Sequence, residues 1–252
     1  MSKLDSLRER LRPSVERARH FSGWQLALYA PRDLDPPEPW KYELRATELL
    51  ETAVSVIDMG TGGGEVFGDL CMTFQGRAVA TEPWKVNAPV AAARLKPQGI
   101  AVVRCGSLLL PFRNGSFDLV LNRHEELEPA EVARVLSPGG TLLTQQVGRA
   151  WSQELRDFFP RMQDSGDLFT RYQAGLRDSG LRIVQAMTHD WRAAYRRFED
   201  LVYVLCVAPW TIPDFDPLDR DLGALRKAEE SLSTENGILL TESRFLIEAR
   251  KE

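Results

Sequence analysis

The sequence predicts a doubly wound α/β protein built on a mostly parallel, seven-stranded sheet. Three observations carry that prediction. Short apolar runs alternate with helical stretches of about 10–15 residues, the pattern of parallel βαβ units. The first run, Val54 to Ile57, passes through Asp58 into Gly60, Gly62 and Gly64. Such a turn lets a ligand lie against bare backbone at the carboxyl end of a parallel strand. A second run, Ala78-Val-Ala-Thr, ends on Glu82, 22 residues after Gly60. A carboxylate at that spacing can accept from both hydroxyls of a ribose.

The elements follow in order. Leu4, Leu7, Leu11 and Val15 recur at helical spacing, so residues 3–20 form an amphipathic helix that Pro13 interrupts or kinks. Residues 31–39 carry four prolines and read as an extended linker. A helix from Trp40 to Thr52 closes this N-terminal helical extension, residues 1–52. The main domain, 53–252, places strands at Val54–Met59, Arg77–Thr81, Ile100–Arg104, Phe117–Asn122 and Thr141–Val147. Helices are expected between them at 63–74, 84–95 and 126–136, with Asn87-Ala-Pro89 denting the second. Pro138-Gly139-Gly140 marks a tight turn before the fifth strand. A helix at 171–179, a sixth strand at Leu181–Met187 and a seventh at Arg244–Arg250 complete the sheet. The last two are separated by a helical insertion over about 190–240, with helices near 198–207 and 218–232.

Composition bounds the function. The chain has 252 residues, is 43% hydrophobic and 27% charged, and carries a formal net charge of −4. These values suit a globular protein with a sizeable core, and the acidic balance argues against holding a nucleic-acid backbone. Arg177, Arg182, Arg192, Arg196 and Arg197 cluster in sequence, and read as a solvated face. Cys71, Cys105 and Cys206 form no C-x-x-C pair, and no His, Cys or carboxylate cluster has metal-ligand spacing. The N-terminus has no apolar core of a signal peptide, and no run reaches the length of a membrane span. A cytoplasmic protein is expected.

Four motifs matter jointly: Asp58-Met-Gly-Thr-Gly-Gly-Gly64, the strand ending in Glu82, Gly106-Ser-Leu-Leu-Leu-Pro-Phe112 before Phe117-Asp118, and Glu131-Val-Ala-Arg-Val-Leu-Ser-Pro-Gly-Gly140. In this order the chain resembles the class I S-adenosylmethionine-dependent methyltransferases, over residues 53–147 and more weakly beyond. The resemblance implies a Rossmann-like sheet and S-adenosylmethionine as cofactor. By position it places Asp58, Gly60, Thr61, Gly62 and Gly64 at the cofactor's amino-acid part. Glu82, with Trp84 behind it, falls at the ribose; Gly106, Ser107 and Leu108 flank the adenine, and Asn122 completes the set. Many members have Asp where Ser107 stands, so the adenine contact differs here. The turn disfavours a nicotinamide cofactor: the third position of G-x-G-x-x-G falls on Glu65, and a carboxylate at a helix start opposes a pyrophosphate but not a cationic sulfonium. Glu65 reads equally as a first-turn helix charge.

The methyl acceptor is less legible. Strand four exits into Asn122-Arg-His-Glu125, a polar run that must face solvent or a polar pocket. His124 has a suitable intrinsic pKa for a base and is the catalytic candidate. Arg123, Glu125 and the strand-five glutamines Gln145 and Gln146 are candidate substrate contacts. Trp40 and Tyr42 before the first strand, and Tyr203 and Trp210 in the insertion with Phe215, are candidates for a cover over the pocket. His20 and His189 read as surface or structural histidines. The expected reaction is in-line methyl transfer to a small molecule. A methyltransferase acting on RNA or protein, a non-catalytic cofactor-binding module and, more distantly, a nicotinamide oxidoreductase are the alternatives.

Overall fold

The computed structural model describes residues 2–252. Its strands are β1 (Arg32–Asp33), β2 (Ser55–Met59), β3 (Arg77–Thr81), β4 (Ala101–Val103), β5 (Phe117–Arg123), β6 (Leu136–Val147), β7 (Leu181–Tyr195), β8 (Ser233–Thr234) and β9 (Gly237–Lys251). The helices are α1 (Lys3–Ala18), α2 (Tyr42–Leu50), α3 (Glu65–Leu70), α4 (Asn87–Leu95), α5 (Pro129–Val135), α6 (Leu168–Asp178), α7 (Phe198–Val207) and α8 (Leu222–Leu232). The strands lie in the order β1-β7-β9-β6-β5-β2-β3-β4, with β8 paired to β9. Strands β2 to β6 run parallel, and β9 runs antiparallel between β6 and β7. Chain order reverses at β2, between β3 and β5, and such a switch point opens the ligand crevice of an α/β sheet.

Alternation along the central strands explains the layers. In β2, Ile57 and Met59 face one core with α5 and α6, while Val56 faces the other with α2, α3 and α4. In β5, Phe117 and Val120 join the first core, Leu119 and Leu121 the second. A strand buried on both faces therefore reads as one unbroken apolar run. A third core lies apart from the sheet's centre. Leu7, Leu11 and Val15 of α1 meet Leu201, Val202 and Leu205 of α7 and Leu222 and Leu225 of α8, over Tyr195 and Leu240.

The seven expected strands are present, and two short ones are added. β1 and β8 are two-residue edge pairings. The larger departure is length. β7 and β9 stay paired from Leu181↔Lys251 to Tyr195↔Ile238, whereas β9 leaves β6 at Val147↔Arg244. The ladder thus rises past the carboxyl edge of the sheet and absorbs the ends of the expected insertion. Pro13 does not break α1, which runs through it. Burial of Leu7, Leu11 and Val15 around it outweighs the lost hydrogen bond. Pro89 does not dent α4, because it falls in the first turn, where a missing N–H costs little. Pro138-Gly-Gly140 is a bulge within β6, with Leu136 opposite Phe117 and Thr141 opposite Leu119. Among the described residues no helix is long and apolar enough to cross a membrane.

Candidate active site

The carboxyl ends of β2, β3 and β5 open into a cavity of about 1820 Å³. Small-molecule pockets commonly measure about 300–1,000 Å³, so this one has room for a nucleoside and a second ligand. The glycine turn forms its floor. Gly60 and Gly62 have φ of +72° and +63°, a region that glycine occupies without side-chain cost. The turn is tied to β3 by Thr61 N–H donating to Thr81 O at 2.9 Å.

Glu82 fixes the other side of the turn. Its Oε2 accepts from Gly62 N–H at 2.8 Å and its Oε1 from Trp84 N–H at 2.9 Å. Each oxygen keeps a lone pair, and Glu82 lines the cavity. Burial raises its pKa against those two bonds. Asp58, on the same floor, is pushed up to about 7 by burial, although the Thr61 hydroxyl and then the Arg123 charge oppose the rise. Ser107 Oγ donates to Glu125 Oε1 at 3.3 Å, and burial followed by the Glu82 charge pushes Glu125 up to about 7. Leu108, beside Ser107, is 49% exposed and lines the cavity, an apolar surface suited to a flat ring.

The roof is aromatic. Trp24 stacks on Trp210 at 5.8 Å, and Trp210 meets Trp84 edge-on at 5.2 Å. A β-carbon on Gly62 would sit 3.0 Å from Trp24 Cβ, so the N-terminal segment lies directly over the turn. Gly23 N–H donates to Asn87 Oδ1 at 2.9 Å and Trp24 N–H to Glu65 Oε1 at 3.4 Å. Here Glu65 holds the cover's backbone.

The strand-four and strand-five candidates divide. Gln145, Gln146, Arg123, His124 and Glu125 line the cavity. Asn122 is fully buried beside it. Its Oδ1 accepts from Thr144 Oγ1 at 2.7 Å and from Gln146 Nε2. Gln146 Nε2 also donates to Glu125 O at 2.8 Å, so this network props the β5 exit. Trp40 does not line the cavity; its Nε1 donates to Gln145 Oε1 at 2.8 Å. Tyr203 lies outside too, packed on Tyr29 at 4.0 Å. Gly64 sits behind the turn, against Leu95. Thr61 and Gly106 line the cavity beside the residues already placed.

Tyr42 and His124 are the unusual members. Tyr42 is 3% exposed, lines the cavity and leaves its hydroxyl without a hydrogen-bond partner. His124 has φ of +64°, a conformation that costs a residue with a β-carbon of order 1–3 kcal/mol. Its N–H donates to Gln145 O at 2.9 Å, and its buried Nδ1 has no partner. Burial, with the Arg244 and Arg123 charges, holds its pKa well below the ordinary histidine value, so the ring is neutral.

Several lining residues had no place in the sequence reading. Glu242, 4% exposed, accepts from Trp151 Nε1 at 3.2 Å and pairs with Arg244 Nη2 at 2.8 Å. Arg244 lies over the Trp191 ring at 5.8 Å. These residues come from the raised β7–β9 ladder and the loop after β6. Glu242 and Arg244 lie two apart on one face of β9, where no apolar–polar alternation marks them, and Trp24 had no signal either.

Fold and site together define an α/β protein with a nucleoside-sized, acid-floored cleft at its switch point. Residues 57–144 match the family model described as a methyltransferase domain. That segment runs from β2 into β6 and carries the glycine turn and Glu82, and this is the part of the chain that is similar to methyltransferase domains. No curated protein sequence gives a significant match. Among solved structures, a functionally unknown protein from Deinococcus radiodurans R1 superposes with a TM-score of 0.63 at 18% identity, covering 94% of this chain and 98% of that one. The [4+2]-cyclase SpnF gives 0.55 at 16%, covering 96% and 93%. Geranyl diphosphate methyltransferase in complex with S-adenosylmethionine gives 0.52 at 16%, covering 92% and 96%. A cyclase and a methyltransferase share this architecture, so these likenesses speak for the fold alone.

Proposed function

We propose that the protein binds S-adenosylmethionine and transfers its methyl group to a small molecule. The observation that carries this reading is the glycine turn between unpaired carboxylates. Gly60 and Gly62 leave bare backbone for a ligand, and Asp58, Glu82 and Glu125 surround it with acid. That setting suits a cationic sulfonium and repels a pyrophosphate. Glu82 would take the ribose hydroxyls with its remaining lone pairs. Trp84, Ser107 and Leu108 would flank the base, and Thr61, which lines the cavity, would meet the amino-acid end.

The bound cofactor supplies a methyl carbon already activated by its sulfonium. The chain's own contribution is alignment, worth several orders of magnitude in a displacement. Tyr42, Gln145 and His124 face the cavity from one side, and Trp191, Glu242 and Arg244 from the raised ladder. Neutral His124 can accept a hydrogen bond from an acceptor's O–H or N–H and so aim its lone pair at the methyl carbon, while its lowered pKa leaves the final proton to water. Trp24, Trp84 and Trp210 exclude water from above. The N-terminal extension and the insertion together would choose the acceptor.

A cleft roofed by Trp24, Trp84 and Trp210 favours a small acceptor over RNA. Arg182, Arg192 and Arg197 of the basic cluster pair with Glu252, Asp35 and Glu199. Methyl-labelled S-adenosylmethionine incubated with the protein and a cell extract tests the reading. Label should enter the low-mass fraction, and His124→Ala should slow its entry by about 100-fold while cofactor affinity stays within about twofold. Label confined to RNA or protein would contradict the acceptor class.

A further inference from the structure

Glu125 stands between the glycine turn and the loop after β4. Its stem lies flat on Gly60: a β-carbon there would be 2.4 Å from Glu125 Cβ and 3.0 Å from its Cδ. Position 60 is therefore glycine for two reasons, its φ and this contact. The carboxyl reaches Ser107 Oγ at 3.3 Å, at the long end of a hydrogen bond. Its charged neighbours, Glu82 and Glu126, are both acids, and the Cys105 thiol lies close by. A half-buried carboxylate among other acids is costly to ionise unless a cation completes it. Tyr42, Asp58 and Thr61 line the same cavity, on the β2 and β5 side of the turn. Glu82 is differently committed, since both its oxygens brace backbone N–H groups.

We infer that Glu125 reads the positive charge of the cofactor, and so favours S-adenosylmethionine over the thioether that remains after transfer. The inference rests on the cleft being the S-adenosylmethionine site. In the transfer, the acceptor's lone pair forms the new bond to the methyl carbon, and the carbon–sulfur bond breaks with its electron pair left on sulfur. The sulfonium becomes a neutral thioether, and any proton on the acceptor passes to a base or water. Glu125 then faces no cation, which weakens the hold on product and aids its release.

Calorimetric titration of the full chain at pH 8, with S-adenosylmethionine and with S-adenosylhomocysteine, reads this directly. An opposite charge at close range is worth roughly tenfold or more, so Glu125→Gln should cut the preference for the sulfonium by about that factor. Affinity for the thioether should stay within about twofold, and Glu125→Asp should keep part of the preference. Equal weakening of both ligands would overturn the inference, because Glu125 would then hold a part common to both, such as the adenine. An unchanged ratio would overturn it too. Failure of the unmodified protein to bind either compound would overturn the cofactor reading itself, and this inference with it.

Discussion

Glu82→Ala is expected to bind S-adenosylmethionine at least about 100-fold more weakly than the unmodified protein. Hydrogen bonds to a charged group are worth about 1.5–3 kcal/mol each, so losing two ribose contacts accounts for that factor. The substitution also leaves the Gly62 and Trp84 N–H groups without their partner, so the turn itself loosens. Stability should change far less than affinity, because burial already disfavours the charged form of Glu82. Glu82→Gln, which keeps one acceptor, should fall between the two. Titration calorimetry with a parallel melting curve separates these effects. Unchanged affinity in Glu82→Ala would mean that β3 does not deliver the ribose-binding acid.

Leu11→Ala is expected to be the most destabilising change outside the sheet. Leu11 is fully buried in the core that joins α1, α7 and α8. Truncating such a leucine costs about 2–5 kcal/mol, and the melting temperature of a chain this size should fall by roughly 4–20 °C. The loss should reach the site as well. Helix α1 leads into Phe21, which meets the Trp24 ring at 5.6 Å, and Trp24 roofs the glycine turn. Cofactor affinity should therefore weaken alongside stability. Denaturant unfolding measures the first and titration the second. A loss below about 1 kcal/mol would mean that α1 does not dock on the insertion.

The parts of this molecule that the sequence made legible are those whose signal is local. Val54 to Ile57, the three glycines and Glu82 lie within one βαβ unit, and their spacing alone brings them together. The central strands were readable because both faces of each are buried. The length of β7 and β9 was not. Beyond the sheet they alternate between buried and solvent-facing residues, as with exposed Arg192 between buried Trp191 and Ala193. Such a segment looks like an insertion in sequence. The polar run at the β5 exit shows a different limit. Asn122 and Gln146 satisfy each other, while His124 next door keeps an unpartnered ring nitrogen. Residue type could not tell a network that props a site from a group that faces it. Trp24 reaches its place only through contacts to Trp210 and Glu65, far along the chain, with no periodicity to announce it.

The central claim is that the acid-floored glycine turn holds a sulfonium nucleoside. Titration of the unmodified protein with S-adenosylmethionine and, separately, with a nicotinamide dinucleotide tests it most directly. Saturable binding of the first, with no measurable binding of the second, is the predicted result. Binding of the dinucleotide without S-adenosylmethionine would contradict it.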